Sequence, residues 1–300
     1  MSNYLGELAA LATAVCWVLT AVSFTIAGRH AGSVVVNRLR LILAVLFLSL
    51  THLLVKGQWL VTGAEPNRWF WLGLSGIVGL VIGDGFLLQA LVWVGPRLPM
   101  LMMSLVPIIS AALGWVFLGE RLSAVEMLAI GLTVGAVALV VTDKKDGNDL
   151  QVERRYYWLG ILMGLGGAVG QAVGLIMSKQ GMMGDFDPLS ATLIRMMVAA
   201  AVMWGVALLR GQAGPTLQAL NDRHASLAIL GGAVAGPFVG VWLSLVAVKL
   251  IPVGIASTLM ALTPVLVLVP SYFLFKERVR LRGIFGTAAA VAGVVIILLA

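Results

Sequence analysis

A chain of 300 residues that is 60% hydrophobic and 11% charged, with a mean hydropathy of +1.03, cannot clothe itself in a solvated surface; soluble proteins carry about 25% charged residues. Its solvent is lipid, and at roughly 20 apolar residues per helical crossing the apolar runs amount to ten spans with short loops and no soluble domain. The net charge of +7 comes from basic residues scattered through loops, which suits lipid headgroups and membrane orientation rather than nucleic acid.

The first predicted helix covers residues 4–27 and ends at Arg29-His30. It lacks a positively charged start, so it reads as a retained span rather than a cleaved leader. Its Cys16, the chain's single cysteine, reads as a small packing residue. The second helix covers 33–54, and a polar loop with Lys56, Gly63, Glu65, Pro66 and Asn67 follows. The third covers 69–93, the fourth 98–118 after a tight turn at Gly95-Pro96, and the fifth 124–142. The charged stretch DKKDGND, continued by VERR, is the expected linker. Five more helices are expected at 157–180, 188–209, 225–249, 253–275 and 281–299. The runs are continuously apolar without period-two alternation, which favours helices over a membrane barrel.

The sequence repeats itself. Arg38, Gly79, Gly83, Pro107, Glu120 and Arg121 recur as Arg195, Gly236, Gly240, Pro264, Glu277 and Arg278, each pair separated by 157 positions (195 − 38 = 157). The predicted organisation is a five-helix repeat at 1–143, a linker at 144–156 and a second five-helix repeat at 157–300. Five is odd, so the second repeat must be flipped relative to the first, with a binding site expected near the pseudo-two-fold axis. The fold class is therefore an all-α integral membrane protein of ten transmembrane helices in two inverted repeats.

The two copies of Pro-(x)12-Glu-Arg at Pro107 to Arg121 and Pro264 to Arg278, with the five-helix repeat and the length, resemble the drug/metabolite transporter superfamily and, within it, the ten-helix EamA-type transporters. The resemblance covers essentially the whole chain. It implies ten spans, an inverted repeat, a central cavity and alternating access. Its members carry amino acids, other metabolites, toxic compounds or nucleotide conjugates, so it leaves the cargo open.

Asp84 is the one carboxylate expected deep inside a helix. A charge at that depth costs at least about 2.5–3.5 kcal/mol and should face the protein interior. It reads either as a proton-coupling or cation-binding group or as the structural partner of a nearby arginine, Arg38 or Arg40. Arg38 and Arg195 lie near the ends of the second and seventh helices, as anion clamps or as side chains snorkelling to headgroups; Arg40 is expected at an interface. Gln89 and Gln171 are cavity candidates, Gln171 sitting within the glycine-rich GGAVGQAVG. Trp17 and Thr20, one helical turn apart, can offer an aromatic face and a hydroxyl to cargo. Pro107 and Pro264 are expected to kink their helices in mid-course, and Pro237 to break another. Glu120-Arg121 and Glu277-Arg278 read as charges complementing the dipole of the following helix.

No GxxxxGK[ST] phosphate loop and no HExxH occur, and His30, His52 and His224 are dispersed. No catalytic residue, metal site or cofactor is expected, and the chain does not read as an enzyme; a membrane enzyme would need clustered acid, base or metal ligands. Of the twenty basic residues, Lys56, Arg68, Arg121, Lys179, Arg195 and Lys249 fall on the side of the N-terminus and fourteen opposite. The positive-inside rule then argues for external termini, whereas the resemblance implies cytoplasmic ones. The expected function is a secondary transporter, in the export direction, of small organic metabolites such as amino acids, with proton coupling through Asp84. A nucleotide-sugar or organophosphate carrier and a lipid flippase are the alternatives. The expected setting is a prokaryotic plasma membrane, with lipids and a small-molecule substrate as partners, in a monomer or a dimer.

Overall fold

The computed structural model describes residues 4–94, 97–143, 154–263, 265–266 and 281–299. Among them there is no strand, and seven helical stretches are long and apolar enough to cross a bilayer; shorter apolar helices at Ala124–Leu139 and Phe285–Leu299 join them. The turn at Gly95-Pro96, most of the linker, Pro264, Glu277 and Arg278 lie outside the described residues.

The chain runs through α1 (Leu5–Ala31), α2 (Ser33–Lys56), α3 (Pro66–Gly76), a first π-helical segment (Ile77–Gly83), α4 (Asp84–Val94), α5 (Arg97–Met103), α6 (Val106–Leu118) and α7 (Ala124–Asp143). Then come α8 (Arg154–Gly181), α9 (Pro188–Leu209), the short α10 (Ala213–Gln218), α11 (Arg223–Ala233), a second π-helical segment (Val234–Gly240), α12 (Val241–Leu250), α13 (Val253–Met260) and α14 (Leu281–Leu299). Large apolar side chains such as Leu54, Leu128, Leu209 and Phe285 point outward, as a lipid solvent permits.

The repeat seen in the sequence is also a repeat of local structure. The two π segments start 157 positions apart (234 − 77 = 157), and both are flanked by helices in one continuous rod. A π turn carries one residue more than an α turn and locally widens the helix. Pro237 sits inside the second segment. It therefore does not break its helix as expected: the widened turn accommodates its ring, and its counterpart Leu80 occupies the same place in the first segment.

The proline before α6 behaves differently from a mid-helix kink. The expected single helix over 98–118 is interrupted at Ser104-Leu105, and Pro107 lies in the first turn of α6, where its missing N–H is no loss. The turn recurs at Ala261-Leu262, again 157 positions on (261 − 104 = 157).

Glycines let the two halves exchange helices. The first helix of the second half, α8, packs on the first π segment: a Cβ on Gly170 would lie 2.7 Å from the Cα of Gly83, and one on Gly174 would lie 3.1 Å from the Cα of Gly79. The first helix of the chain, α1, packs on the second π segment. There the Thr20 side chain lies 2.8 Å from where a Cβ of Gly236 would stand, and Trp17 and Cys16 crowd Gly240. Thr13 Oγ1 donates to the carbonyls of Ala9 and Gly240. Farther out, α14 lies along α7, with Gly293 against Thr133 and Ala129.

Candidate functional site

The polar centre of the molecule is built on α2. Within the run NRLR, Asn37, Arg38 and Arg40 stand in the apolar first half of the helix, and all three are buried. Arg40 donates from Nη2 to Asp84 Oδ2 in a short charged contact, and from Nε to Asn37 Oδ1 at 2.8 Å. Its guanidinium also lies 5.4 Å from the centre of the Phe24 ring, a cation–π distance. Asn37 Nδ2 reaches the Leu80 carbonyl inside the first π segment, 3.4 Å away. The π turn, Asp84, Arg40 and Asn37 thus form one connected network between α2 and α4.

Asp84 therefore has an arginine partner, and it is Arg40. The expectation that Arg40 reaches an interface is overturned. α2 packs against α9, α11, α4 and the second π segment, and its exposed stripe runs through Val34, Ile42, Leu46, Leu50 and Leu54 instead. Arg38 does not snorkel either. At 5% exposure it donates from Nη1 to Thr216 Oγ1 at 3.0 Å and from Nη2 to Gln212 Oε1 at 2.6 Å. Trp204 Nε1 donates to the Arg38 carbonyl.

Arg195, the repeat mate of Arg38, lies on α9 at 3% exposure. Its Nε and Nη1 are buried with no hydrogen-bond partner among the described residues. Its backbone carbonyl presses on Gly76, 2.5 Å from where a Cβ would be, and its Nη2 passes over Gly79. The charge that acts on it from across the first π segment is Asp84, already bound to Arg40.

The remaining candidates divide. Gln89 on α4 and Gln171 on α8 are half-buried. Thr20 donates its hydroxyl to the Cys16 carbonyl at 2.8 Å, and Trp17 packs partly into the core; both border the second π segment.

A second cluster ties helices together at one end of the bundle, the end where α1 begins. Gly6 packs on Leu250 and Ile251 there. Glu120, just beyond α6, forms an ion pair with Lys179 at the end of α8, with Oε1 and Nζ 2.6 Å apart but not aligned as a hydrogen bond. Its Oε2 accepts from the Val253 N–H at 2.8 Å, the first residue of α13. Lys179 also donates to the Ile251 carbonyl, and Lys249 to that of Phe186. Glu120 thus complements a helix N-terminus in the other half, not the helix that follows it. That following helix, α7, has its own reciprocal cap between Ser123 and Glu126. The sequence gives no sign of this contact, because Glu120, Lys179 and Val253 are far apart in the chain.

At the same end, Arg68 donates to the Met183 carbonyl and covers the Phe186 ring. His52 joins the Gln58 carbonyl to the Ser190 hydroxyl, and Lys56 lies 3.5 Å from Asp187. Burial pushes the Asp187 carboxyl up, but the Ser190 backbone N–H, its hydroxyl and the Lys56 charge outweigh this and hold it below the usual carboxylate range. No group of three or more His, Cys, Asp or Glu fit to hold a metal occurs among the described residues.

No curated protein matches the chain in sequence. Several solved structures do match in fold. One, a crystal structure whose name states no function, superimposes with a TM-score of 0.80 at 16% identity, covering 99% of this chain and 98% of that one, which is a likeness of fold alone. The model of the EamA-like transporter family matches twice, over residues 4–142 and 158–299. Two copies of that unit fill nearly the whole multi-pass chain, which belongs to the EamA-like transporter family.

Proposed function

We propose that the protein is a secondary transporter that exports small organic metabolites, such as amino acids or related compounds, across a prokaryotic plasma membrane by alternating access. In this reading the chain makes ten crossings as two oppositely oriented five-helix repeats. The reciprocal packing of α8 on the first π segment and of α1 on the second supports that arrangement, since each half contributes its first helix to the other.

The observation that carries the reading is the Arg40–Asp84 pair beside the first π segment. A charged pair within apolar helices is costly to keep and marks a solute or ion path by default. π turns gather at functional sites because they loosen the helical ladder. Asp84 has no charged mate in the second repeat, where Val241 occupies its place. The transport cycle would therefore be asymmetric, with proton binding at Asp84 releasing Arg40 as the halves rock. In this reading the Glu120–Lys179 contact is one that must part for the end beside α1 to open.

The test is counterflow in proteoliposomes with an imposed pH gradient. A wild-type protein that accumulates labelled amino acid against the gradient, and an Asp84→Asn variant that still exchanges label but no longer responds to the gradient, support the reading. Unchanged gradient-driven flux in Asp84→Asn defeats the coupling step. Loss of all counterflow across a broad metabolite panel in wild type defeats carriage itself.

A further inference from the structure

We propose that Arg195 is the anchor for a carboxylate on the cargo, so that the substrates are monoanionic or zwitterionic carboxylates. The inference rests on the transport reading and deepens it.

A guanidinium keeps its proton at any ordinary pH. Held away from water without a partner, it bears a penalty of several kcal/mol. The other described cations near the interior have acceptors: Arg40 has Asp84 and Asn37, Arg38 has Gln212 and Thr216, Lys179 has Glu120 and the Ile251 carbonyl, and Lys249 has the Phe186 carbonyl. Arg195 is as buried as any of these, yet its Nε and Nη1 meet no acceptor among the described residues. Its repeat mate shows what is missing. The polar residues that accept from both Nη atoms of Arg38 and leave only its Nε unpartnered, Gln212 and Thr216, correspond after subtraction of 157 to Val55 and Trp59, which offer no side-chain acceptor.

The sign and size of the partner follow. Arg40 and Asp84 cancel, so the network around the first π segment carries one uncompensated positive charge, that of Arg195. One fork-shaped cation matches one planar carboxylate; a phosphate dianion would call for a second cation, and the described lysines nearby are committed. The side chain lies over Gly79, where the first π segment, α8 and α9 pack closely on one another. Both unpartnered nitrogens are walled off in this conformation. The carboxylate therefore enters after the end held by Glu120 and Lys179 has opened, and its binding favours reclosure around it.

The experiment uses the purified full-length protein in lipid nanodiscs and follows the melting temperature. The probes are matched pairs: each standard amino acid and its carboxamide, with sodium chloride as a bare-anion control. Stabilisation by at least one free acid and not by its amide is expected. Arg195→Gln should weaken that acid's apparent affinity by about tenfold or more, as expected for losing a charged hydrogen bond. Arg195→Lys should retain part of the response, and serves where the glutamine variant fails to fold. Equal stabilisation by acid and amide, an acid response unchanged in both variants, no response to any free acid, or a chloride effect as large as the acid's overturns the proposal. Counterflow of the same compounds separates the two readings. Binding of carboxylates without any exchange defeats transport and leaves the Arg195 site standing; exchange of amides as fast as acids defeats the Arg195 site alone.

Discussion

Gly83 of the first half and Gly170 of the second meet backbone to backbone. A Cβ on Gly170 would stand 2.7 Å from the Gly83 Cα, and one on Gly83 would stand 3.2 Å from the Gly170 Cα. Neither chain can yield by rotating a side chain, so Gly170→Ala forces the first π segment and α8 apart. A loss of about 1–3 kcal/mol is expected, as for other overpacked sites. Gly85, two positions along, has nothing within 4 Å of its would-be Cβ. Gly85→Ala should be neutral or stabilising by about 0.4–1 kcal/mol, since it removes only unfolded-chain freedom. Thermal unfolding of the two variants in nanodiscs reads the contrast; equal melting temperatures would show that the contact is slack.

The Arg40–Asp84 pair makes a prediction with two signs. Removing one partner leaves the other charge buried alone, so Arg40→Met and Asp84→Leu should each cost about 3–5 kcal/mol. The double variant should recover most of that loss, because two apolar side chains replace two charges. The cycle is measured by melting temperature and by counterflow on the same preparations. Recovery of stability without recovery of counterflow would separate the pair's role in transport from its role in folding; no recovery of stability would show that Asn37 and Phe24 hold Arg40 as firmly as Asp84 does.

Much of this was legible in the sequence, for identifiable reasons. Apolar runs separated by polar loops gave helix positions, and a constant offset of 157 gave the repeat before any contact was known. Asp84 stood out because a carboxylate in such a run has few places to go. Its partner did not, because Arg38 and Arg40 point to opposite sides of one helix and the sequence suggests that one of them faces lipid. Arg38, in register with the exposed Val34, Ile42 and Leu46, is covered by Gln212 and Thr216, and Arg40 is held by Asp84 and Asn37, so both are buried. The π segments left no trace, since one extra residue per turn shifts no hydrophobic pattern that a short run can reveal. Pro107 misled for a related reason: a proline is as much at home in the first turn of a helix as at a kink, and only the break at Ser104-Leu105 decides between them.

Glu120 and Lys179 tie α6 of one half to α8 and α13 of the other, so opening that end must separate them. Glu120→Gln keeps an acceptor for the Val253 N–H but gives up the charge that holds Lys179. The expected outcome is a larger population open at that end. Ser257 lies on α13 at 2% exposure and reports it. In a Cys16→Ser background, a Ser257→Cys probe should react with a water-soluble maleimide several-fold faster when Glu120→Gln is present, because an ion pair of this kind contributes about 1–3 kcal/mol to the closed state. Lys179→Met should act in the same direction. Labelling that stays slow in both variants would mean the contact is not what keeps the end shut.

Acid should loosen the same end through Asp187. Its carboxylate caps α9, accepting from the Ser190 N–H at 3.0 Å and from the Ser190 hydroxyl at 2.7 Å, and Lys56 lies nearby. These contacts outweigh burial and hold its pKa below the ordinary 3.8. A carboxyl whose folded pKa is depressed contributes stability that is present above the unfolded value and lost as pH falls through the folded one. Asp187→Asn, which keeps a capping oxygen but not the charge, should therefore melt below wild type near neutral pH. The gap should close as pH falls below about 4, where wild type loses its charge as well. Asp187→Ala removes the cap itself and should cost about 0.5–2 kcal/mol at every pH. Melting curves of the three proteins across that range decide it; a gap between wild type and Asp187→Asn that does not change with pH would assign Asp187 a capping role independent of its charge.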